Sequence, residues 1–550
     1  MNELLICNTL SALLADYGIR DVVISSGTRN APLIAALSSN DALSLTMIVD
    51  ERSAAFVALG KALVSDRPVA LVCTSGSALL NYAPALAEAY YSHVPLIAIS
   101  ADRPSFIIDR NDGQTIRQNN SLSAIVKNSY FISESDSLDT AELTINDALT
   151  CSWMKPTGPV HLNVAISDPT VVGDGHMEVS PRRIRTIQHS GLLSKESMSE
   201  LAGRLSQADR VMIWAGASQP SQRLNKALAK VAGFGNFVIV SEIGSNLHGK
   251  SFVSSPDTIL IDREFPKICP QILITFGKPL LSSRLKQILS KQNIEHWHVG
   301  YTERAADVMS KQTLRIETDP EAFITQLTAS MRRPAHRSNY ADIVGESYTA
   351  SCVKARNFID ALPWCELSAI NTILRHCPKE FNLQISNGMS VRYTHLLDYT
   401  HFHRCDYNRG VSGIDGSTST AVGASTVYNG TTLLITGDMS ARYDIGGLGL
   451  RCVTPKFKVV VICNNGGQIF RHIKPTRDFD NLEQYICPND PAPFADLAKA
   501  WGYKVFTAST HDELKSVLPD FINESTQPAL LELHTELNVI TEIMTKFYKL

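Results

Sequence analysis

Short apolar segments alternate with helical stretches along this chain, and that alternation restricts the fold more than any other feature. In the first part, "DVVISSG" (21–27), "LTMIV" (45–49), "VALVCTSG" (69–76) and "VPLIAISAD" (94–102) read as buried strands, and "SAAFVALGKALV" (53–64) and "ALLNYAPALAEAYY" (78–91) as helices. Strands apolar on both faces and separated by helices predict βαβ units and a parallel sheet. The pattern recurs twice. "RVMIWAGAS", "FVIVSEIGS", "ILITFGK" and "EHWHVG" form a second set, and "FNLQISNGMS", "TTLLITGDMS", "FKVVVICNNGG" and "PALLELHTE", after helical "LSAINTILRHC", a third. Two polar stretches, "VVGDGHMEVSPRRIRTIQHSG" and "SMRRPAHRSNYAD", read as linkers. The expectation is an α/β protein of three domains with parallel sheets, over 1–175, 190–335 and 345–550. A length of 550 residues, 44% of them hydrophobic, is enough for that many cores.

Several classes of protein are disfavoured. A formal net charge of −3 gives no support for nucleic-acid or membrane-surface binding. The apolar runs fall short of the roughly 20 residues a membrane helix needs. "MNELLICNTLSALLADYG" lacks a basic leader and a cleavage site, and the eleven scattered cysteines include no CxxC pair. Reduced thiols and a cytoplasmic location are expected.

Ligands bind at the carboxyl ends of strands in such sheets. In "LLITGDMSARYDIGGLGL" an apolar run stops at Gly437 and Asp438 follows at once. A second run ends 26 positions later in "CNNGGQIF", a separation that suits one helical crossover. Asp438 and the Asn464/Asn465 pair would then share one edge. A carboxylate and an amide oxygen are hard ligands suited to Mg²⁺, which completes its shell with phosphate oxygens and water. Glycines 466 and 467 let a backbone carbonyl turn inward, and Ser440 is expected to open a helix whose amides favour a phosphate. The alternative is that Asp438 only caps that helix.

"GDMS" followed by "NNGGQIF" resembles the metal–diphosphate motif of thiamine-diphosphate enzymes. The resemblance implies thiamine diphosphate with Mg²⁺ or Mn²⁺ held by Asp438, Asn464 and the Gly466 carbonyl, with Gly437 and Ser440 beside the cofactor. Anchoring on "GGQIF" selects Asn464, whereas anchoring on "NN" selects Asn465 and Gly467. Cys463 stands where the family has a first Asn. The resemblance also implies an acid in the N-terminal domain that activates the cofactor. In "DERSAAFVALG", Glu51 follows a strand and starts a helix. Without the resemblance it is a favourable charge at a helix N-terminus. An acid in one domain and a metal site in another imply an active site built between subunits.

The strand-end loops are rich in arginine: "SSGTRNAPL" (Arg29), "SADRP" (Arg103), "SSRLKQ" (Arg284), "NGMSVR" (Arg392) and "YNRGVSGIDG" (Arg409). The guanidinium fork binds carboxylate bidentately, so five such residues suggest substrates with several carboxylates. These loops resemble the 2-succinyl-5-enolpyruvyl-6-hydroxy-3-cyclohexene-1-carboxylate synthase family of menaquinone and phylloquinone biosynthesis, most strongly over 21–118 and 385–473. The resemblance implies a transferase that decarboxylates 2-oxoglutarate and adds the succinyl-semialdehyde unit to isochorismate, working as a homodimer at least and expectedly as a tetramer. It places Thr28, Arg29, Arg103, Gln114, Arg284, Arg392 and Arg409 at the substrates and makes Ile414 the wedge that bends the cofactor. Ile469, Phe470 and Ile473 become an apolar wall, or otherwise core packing. The chain departs from that family at Thr28 (Ser), Gly113 (Asn), Ser283 (Lys) and Gly388 (Ser), and Lys278 is a substitute cation for the missing lysine. "IWAGASQP" is no GxGxxG and weakly suggests a dinucleotide loop. "HFHRC" (401–405) reads as ordinary structure, not a metal site.

Overall fold

In the computed structural model, residues 2–170, 177–187, 191–302, 304–331, 338–399, 401–487, 492–523, 526–536 and 539–550 are described. Both expected linkers lie partly outside them. The described stretch 177–187 runs along the first unit, where Arg182 Nε donates to Glu142 at 2.7 Å and the Ile184 amide to Asn146 Oδ1 at 2.8 Å.

The described residues form three all-parallel sheets. The first contains β1 (Asp21–Ile24), β2 (Ser44–Met47), β3 (Val69–Cys73), β4 (Leu96–Asp102), β5 (Ser129–Ile132) and β6 (Val160–Ala165), in the order 2-1-3-4-6-5. The second contains β7 (Val211–Ala215), β8 (Phe237–Ser241), β9 (Ile272–Phe276), β10 (Glu295–Val299) and β11 (Gln312–Ile316), in the order 11-10-9-7-8. The third contains β12 (Asn382–Ile385), β13 (Arg404–Asp406), β14 (Thr432–Gly437), β15 (Phe457–Cys463), β16 (Lys504–Ala508) and β17 (Ala529–His534), in the order 13-12-14-15-17-16. Counted from its own first strand, the third sheet repeats the strand order of the first. Each apolar segment that the sequence marks as a strand is one. The strands it does not mark have physical reasons for silence. β5, β11 and β16 are half-exposed edge strands, and β13 has three residues. β6 is fully buried but carries His161 and Asn163, which meet the Ser100 hydroxyl at 2.8 and 2.7 Å.

Eight helices position the site residues: α1 (Glu51–Ser65), α2 (Ala83–Ser92), α3 (Ser283–Ser290), α4 (Glu366–His376), α5 (Met389–Tyr393), α6 (Ser417–Val427), α7 (Asp438–Tyr443) and α8 (Gln468–His472). The first and third units meet where α1 crosses α6. Both helices are buried on nearly every side, as apolar or small-residue helices inside a core must be. The approach is close enough to require glycine. A Cβ on Gly60 would lie 1.9 Å from the Thr420 carbonyl oxygen, and one on Gly423 would lie 2.1 Å from that of Val57. This crossing sets the helix that begins at Glu51 against the helix that follows Ile414.

Gly60→Ala and Gly423→Ala should therefore each cost roughly 1–3 kcal/mol or more, because the methyl meets backbone that cannot rotate away. Gly203→Ala, in a helix where nothing lies within 4 Å of the added Cβ, should instead be neutral or stabilising by about 0.5–1 kcal/mol. Denaturant midpoints of the three variants check the contrast.

Candidate active site

β14 and β15 pair directly, with Gly437 opposite Ile462, so Asp438 and Asn464 leave the same edge of the third sheet. The crossover between them is a six-residue helix and a short 3₁₀ turn, not one long helix. Asp438 itself opens α7 and Ser440 lies inside it, which corrects the expectation that Ser440 starts the helix. Nor is Asp438 the helix cap, since Gly437 holds that position. Asp438 Oδ1 accepts from the Met439 amide at 2.7 Å, and Oδ2 from the amides of Asn464 and Gly466 at 3.1 and 2.9 Å. Burial raises its pKa above the usual carboxylate range against the pull of these N–H groups.

The structure separates the two asparagines. Asn465 is exposed and left-handed (φ 62°), whereas Asn464 is buried. Asn464 Nδ2 donates to Glu366 Oε1 at 2.5 Å, and its Oδ1 is buried with no partner among the described residues. An unpaired buried acceptor beside a carboxylate suits a hard cation, so the residues fit a metal–diphosphate group. The Gly466 carbonyl accepts from Arg471 Nη1, which leaves its second lone pair, and Arg471 also pairs with Glu483 at 2.6 Å. Glu366 Oε2 accepts from the Tyr393 hydroxyl at 2.5 Å, and burial pushes Glu366 up to about 7. The Ser440 hydroxyl donates to the Ile414 carbonyl at 3.1 Å and so ties the "SGIDG" loop to α7. On the far side of β15, Cys463 Sγ donates to Glu532 Oε1 at 3.5 Å, and His534 Nε2 lies 4.0 Å from that oxygen.

The remaining expected residues fall into two constellations. Thr28, Arg29, Arg103 and Gln114 gather at the carboxyl edge of the first sheet. Arg29 Nη1 donates to the carbonyls of Ile166 and Ser167 at 2.7 and 2.9 Å, and Arg103 pairs with Asp112. Both arginines keep a buried Nε without a partner among the described residues. Thr28 and Gln114 are exposed, and Gln114 is left-handed (φ 56°) beside Gly76. Glu51 opens α1, but Asp50 does the capping, accepting from the Arg52 amide at 3.0 Å, so the Glu51 carboxylate is not committed to that role.

The second constellation lies where the middle and third sheets meet. Arg409 Nη1 donates to Asn387 Oδ1 at 3.2 Å, Arg392 donates to the Gly388 carbonyl, and Arg284 stacks on the Tyr548 ring at 3.5 Å. Burial and then the Arg409 charge lower the pKa of Arg392, and burial with Arg392 and Arg284 lowers that of His472. These cations share one neighbourhood. Phe470 and Ile473 on the adjacent α8 segment are 37% and 40% exposed, whereas Ile469 packs partly into the third unit's core. Lys278 Nζ meets His93 Nε2 at 2.6 Å and lines one cavity with Lys286 and Arg409. In "HFHRC", His401 stacks on Phe402 and Arg404 pairs with Asp406 at 2.7 Å, as ordinary structure does.

Two further acids hold this constellation. Glu88 on α2 accepts from the amides of Gly410 and Val411 at 2.6 and 2.8 Å, fixing the loop that carries Arg409. Glu242 accepts from the amides of Leu281 at 2.8 Å and Ser282 at 3.0 Å, fixing the start of α3 and with it Arg284. Sequence reasoning missed both, along with Glu366, Tyr393 and Arg471. One signal was available: Glu242 follows the apolar "FVIVS" just as Asp438 follows "LLITG".

Comparison with known proteins assigns the first and third units. Residues 7–122 match the thiamine pyrophosphate enzyme N-terminal TPP binding domain, and residues 386–533 the C-terminal TPP binding domain. The first and third sheets therefore define a thiamine pyrophosphate enzyme. A 2-succinyl-5-enolpyruvyl-6-hydroxy-3-cyclohexene-1-carboxylate synthase of Porphyromonas gingivalis is 37% identical over 96% of this chain and 94% of its own length. Proteins of the same name from Flavobacterium johnsoniae and Flavobacterium psychrophilum are 32% and 34% identical, covering 100% and 99% of this chain and 99% and 97% of their own. The chain belongs to the 2-succinyl-5-enolpyruvyl-6-hydroxy-3-cyclohexene-1-carboxylate synthase family.

Glu242 carries a pH prediction. Burial pushes its carboxyl up to about 7 from 4.5. The folded chain then holds a proton that the unfolded chain has released between those values, so stability is full below about 4.5 and falls as pH rises toward 7. The stability advantage of the natural chain over Glu242→Gln should shrink by on the order of 1–3 kcal/mol across that window. Denaturant titrations of both chains from pH 4.5 to 8 measure it.

Proposed function

We propose that this chain catalyses the thiamine-diphosphate-dependent decarboxylation of 2-oxoglutarate and the transfer of the remaining four-carbon unit to isochorismate, releasing CO₂, as a transferase of menaquinone biosynthesis. The observation that carries the reading is the gathering of Arg284, Arg392 and Arg409 beside the edge that bears Asp438 and Asn464. A 2-oxo acid with one carboxylate has no use for so many cations, and two dicarboxylate substrates do.

Asp438, Asn464 Oδ1 and the free lone pair of Gly466 offer hard oxygens to Mg²⁺ or Mn²⁺, and α7 with Gly437 and Ser440 receives the diphosphate. When bound, thiamine diphosphate supplies the electron sink that decarboxylation of a 2-oxo acid requires. Ile414 would pack against the cofactor, and Glu51 would hold a proton beside it. Arg392 and Arg409 bind the carboxylates of the 2-oxo acid. Thr28, Arg29, Arg103, Gln114 and Arg284 orient the acceptor, and Phe470 and Ile473 exclude water from the reacting carbon.

The same reading calls for a second copy. Within one chain Glu51 makes no hydrogen bond to Asp438 or Asn464 among the described residues. Beside it, Met47 and Val49 are 52% and 75% exposed, apolar surface that a partner subunit would cover. A homodimer, pairing further into a tetramer in the cytoplasm, is the proposed form. Among the described residues no helix is long and apolar enough to cross a membrane.

Purified chain with thiamine diphosphate, Mg²⁺, 2-oxoglutarate and isochorismate should consume isochorismate and release CO₂, with pyruvate a poor substitute. Isochorismate that persists while CO₂ appears would reduce the assignment to a decarboxylase. Glu51→Gln should lower kcat by at least about 10²-fold with cofactor still bound. Arg392→Ala should raise the KM for 2-oxoglutarate by about 10–100-fold, the loss of a charged hydrogen bond worth roughly 1.5–3 kcal/mol.

A further inference from the structure

Asn464 offers a cation its oxygen only if its amide is turned the right way round. The two ends of a primary amide have nearly the same shape, so only the hydrogen-bond partners decide which end faces where. Asp438 does not decide it, because Asp438 Oδ2 binds the Asn464 backbone amide at 3.1 Å and leaves the side chain to other partners. Glu366 does, within a buried chain of three groups on separate elements. Glu366 starts α4, Tyr393 ends α5 and Asn464 follows β15, and they are 3%, 0% and 6% exposed. The Tyr393 hydroxyl donates to Glu366 Oε2 at 2.5 Å, and Asn464 Nδ2 donates to Glu366 Oε1 at 2.5 Å. Asn464 Oδ1 is left without a partner among the described residues.

We propose that Glu366 is the positioning residue that fixes the polarity of the Asn464 amide, drawing its NH₂ inward so that its oxygen is presented to the cation site beside Asp438. This rests on the metal–diphosphate reading of that edge. An ionised carboxylate only accepts hydrogen bonds, and Tyr393 already takes one of its two oxygens. Turning the amide over would set its oxygen against a carboxylate oxygen at hydrogen-bond distance, inside a dry pocket, and aim two N–H donors at a cation. Both consequences are costly in a buried network, where a satisfied chain is stiff and a mismatched one is strongly penalised. Tyr393 directly follows Arg392, so the same chain of bonds joins the substrate arginine's helix to the metal edge.

The test reads metal binding directly. Mn²⁺ replaces Mg²⁺ in the presence of thiamine diphosphate, and free Mn²⁺ is followed by electron paramagnetic resonance. Glu366→Gln lets the amide turn over and should weaken Mn²⁺ binding by about 10–100-fold, as loss of a partner that orients a ligand does. The double variant Glu366→Gln with Asn464→Asp exchanges donor and acceptor. Its glutamine amide donates to the aspartate, whose other oxygen faces the cation, and affinity should return to within about threefold of the natural chain. Tyr393→Phe keeps the Glu366–Asn464 bond and should leave affinity unchanged. Natural affinity in Glu366→Gln, or no recovery in the exchanged pair, would overturn the proposal. If Glu366→Gln fails to fold, the exchanged pair decides alone: tight Mn²⁺ binding supports the proposal, and binding more than about tenfold weaker overturns it. If the natural chain itself binds no Mn²⁺ with thiamine diphosphate, the metal–diphosphate reading falls, and the positioning role with it.

Discussion

The site depends first on one buried carboxylate that ties two strand ends together. Asp438 leaves β14 and accepts the backbone amides of Asn464 and Gly466, which leave β15. Parallel pairing brings the two ends side by side, but pairing stops at Cys463 and leaves the next turn with unpaired amides. Asn465, Gly466 and Gly467 all have positive φ, so that turn has no repetitive hydrogen bonding of its own. The Asp438 carboxylate supplies it, and Asn464 is carried to the position where its oxygen is free.

The same device recurs at other segments near the site. Glu88 holds the amides of Gly410 and Val411, Glu242 those of Leu281 and Ser282, and Asp444 the amide and hydroxyl of Ser419 at 2.6 and 2.8 Å. A carboxylate has several lone-pair sites and can satisfy more than one loop donor at once, whereas a neutral side chain rarely can. The cost is desolvation, visible in Glu242, Glu366 and Asp444, each pushed up to about 7 by burial. These acids sit next to the loops that carry Arg284, Arg409, Asn464 and Ile414, which ties the rigidity of the proposed substrate and cofactor edges to the same groups.

Much of this is legible in the order of the residues. The strands with apolar side chains on both faces, the three α/β units and the pairing of Asp438 with the Asn464 turn all follow from residues close together in the chain or from period and spacing. The edge strands β5, β11 and β16 are not legible, because half-exposed strands lack a strong pattern. The sequence leaves both Asn464 and Asn465 as candidates, and only the fold shows that the first is buried and the second exposed. Glu366 reads as an ordinary acid in a first helical turn, and nothing near it in the chain indicates that it meets Tyr393 and an asparagine 98 residues away.

The amino-acid sequence alone determined the fold class, the cofactor motif and a set of cations suited to carboxylates, because each is written in local order: hydrophobic period, strand-end residues and glycine placement. Tertiary structure decided which of those residues share a neighbourhood. It sorted the arginines into two constellations, set Lys278 against His93, and brought Asn464 to Glu366. Those outcomes rest on contacts between elements far apart in the chain, at α1 against α6 and at α4 against β15, where the approach of backbone and buried charge is set by packing and not by neighbouring residues.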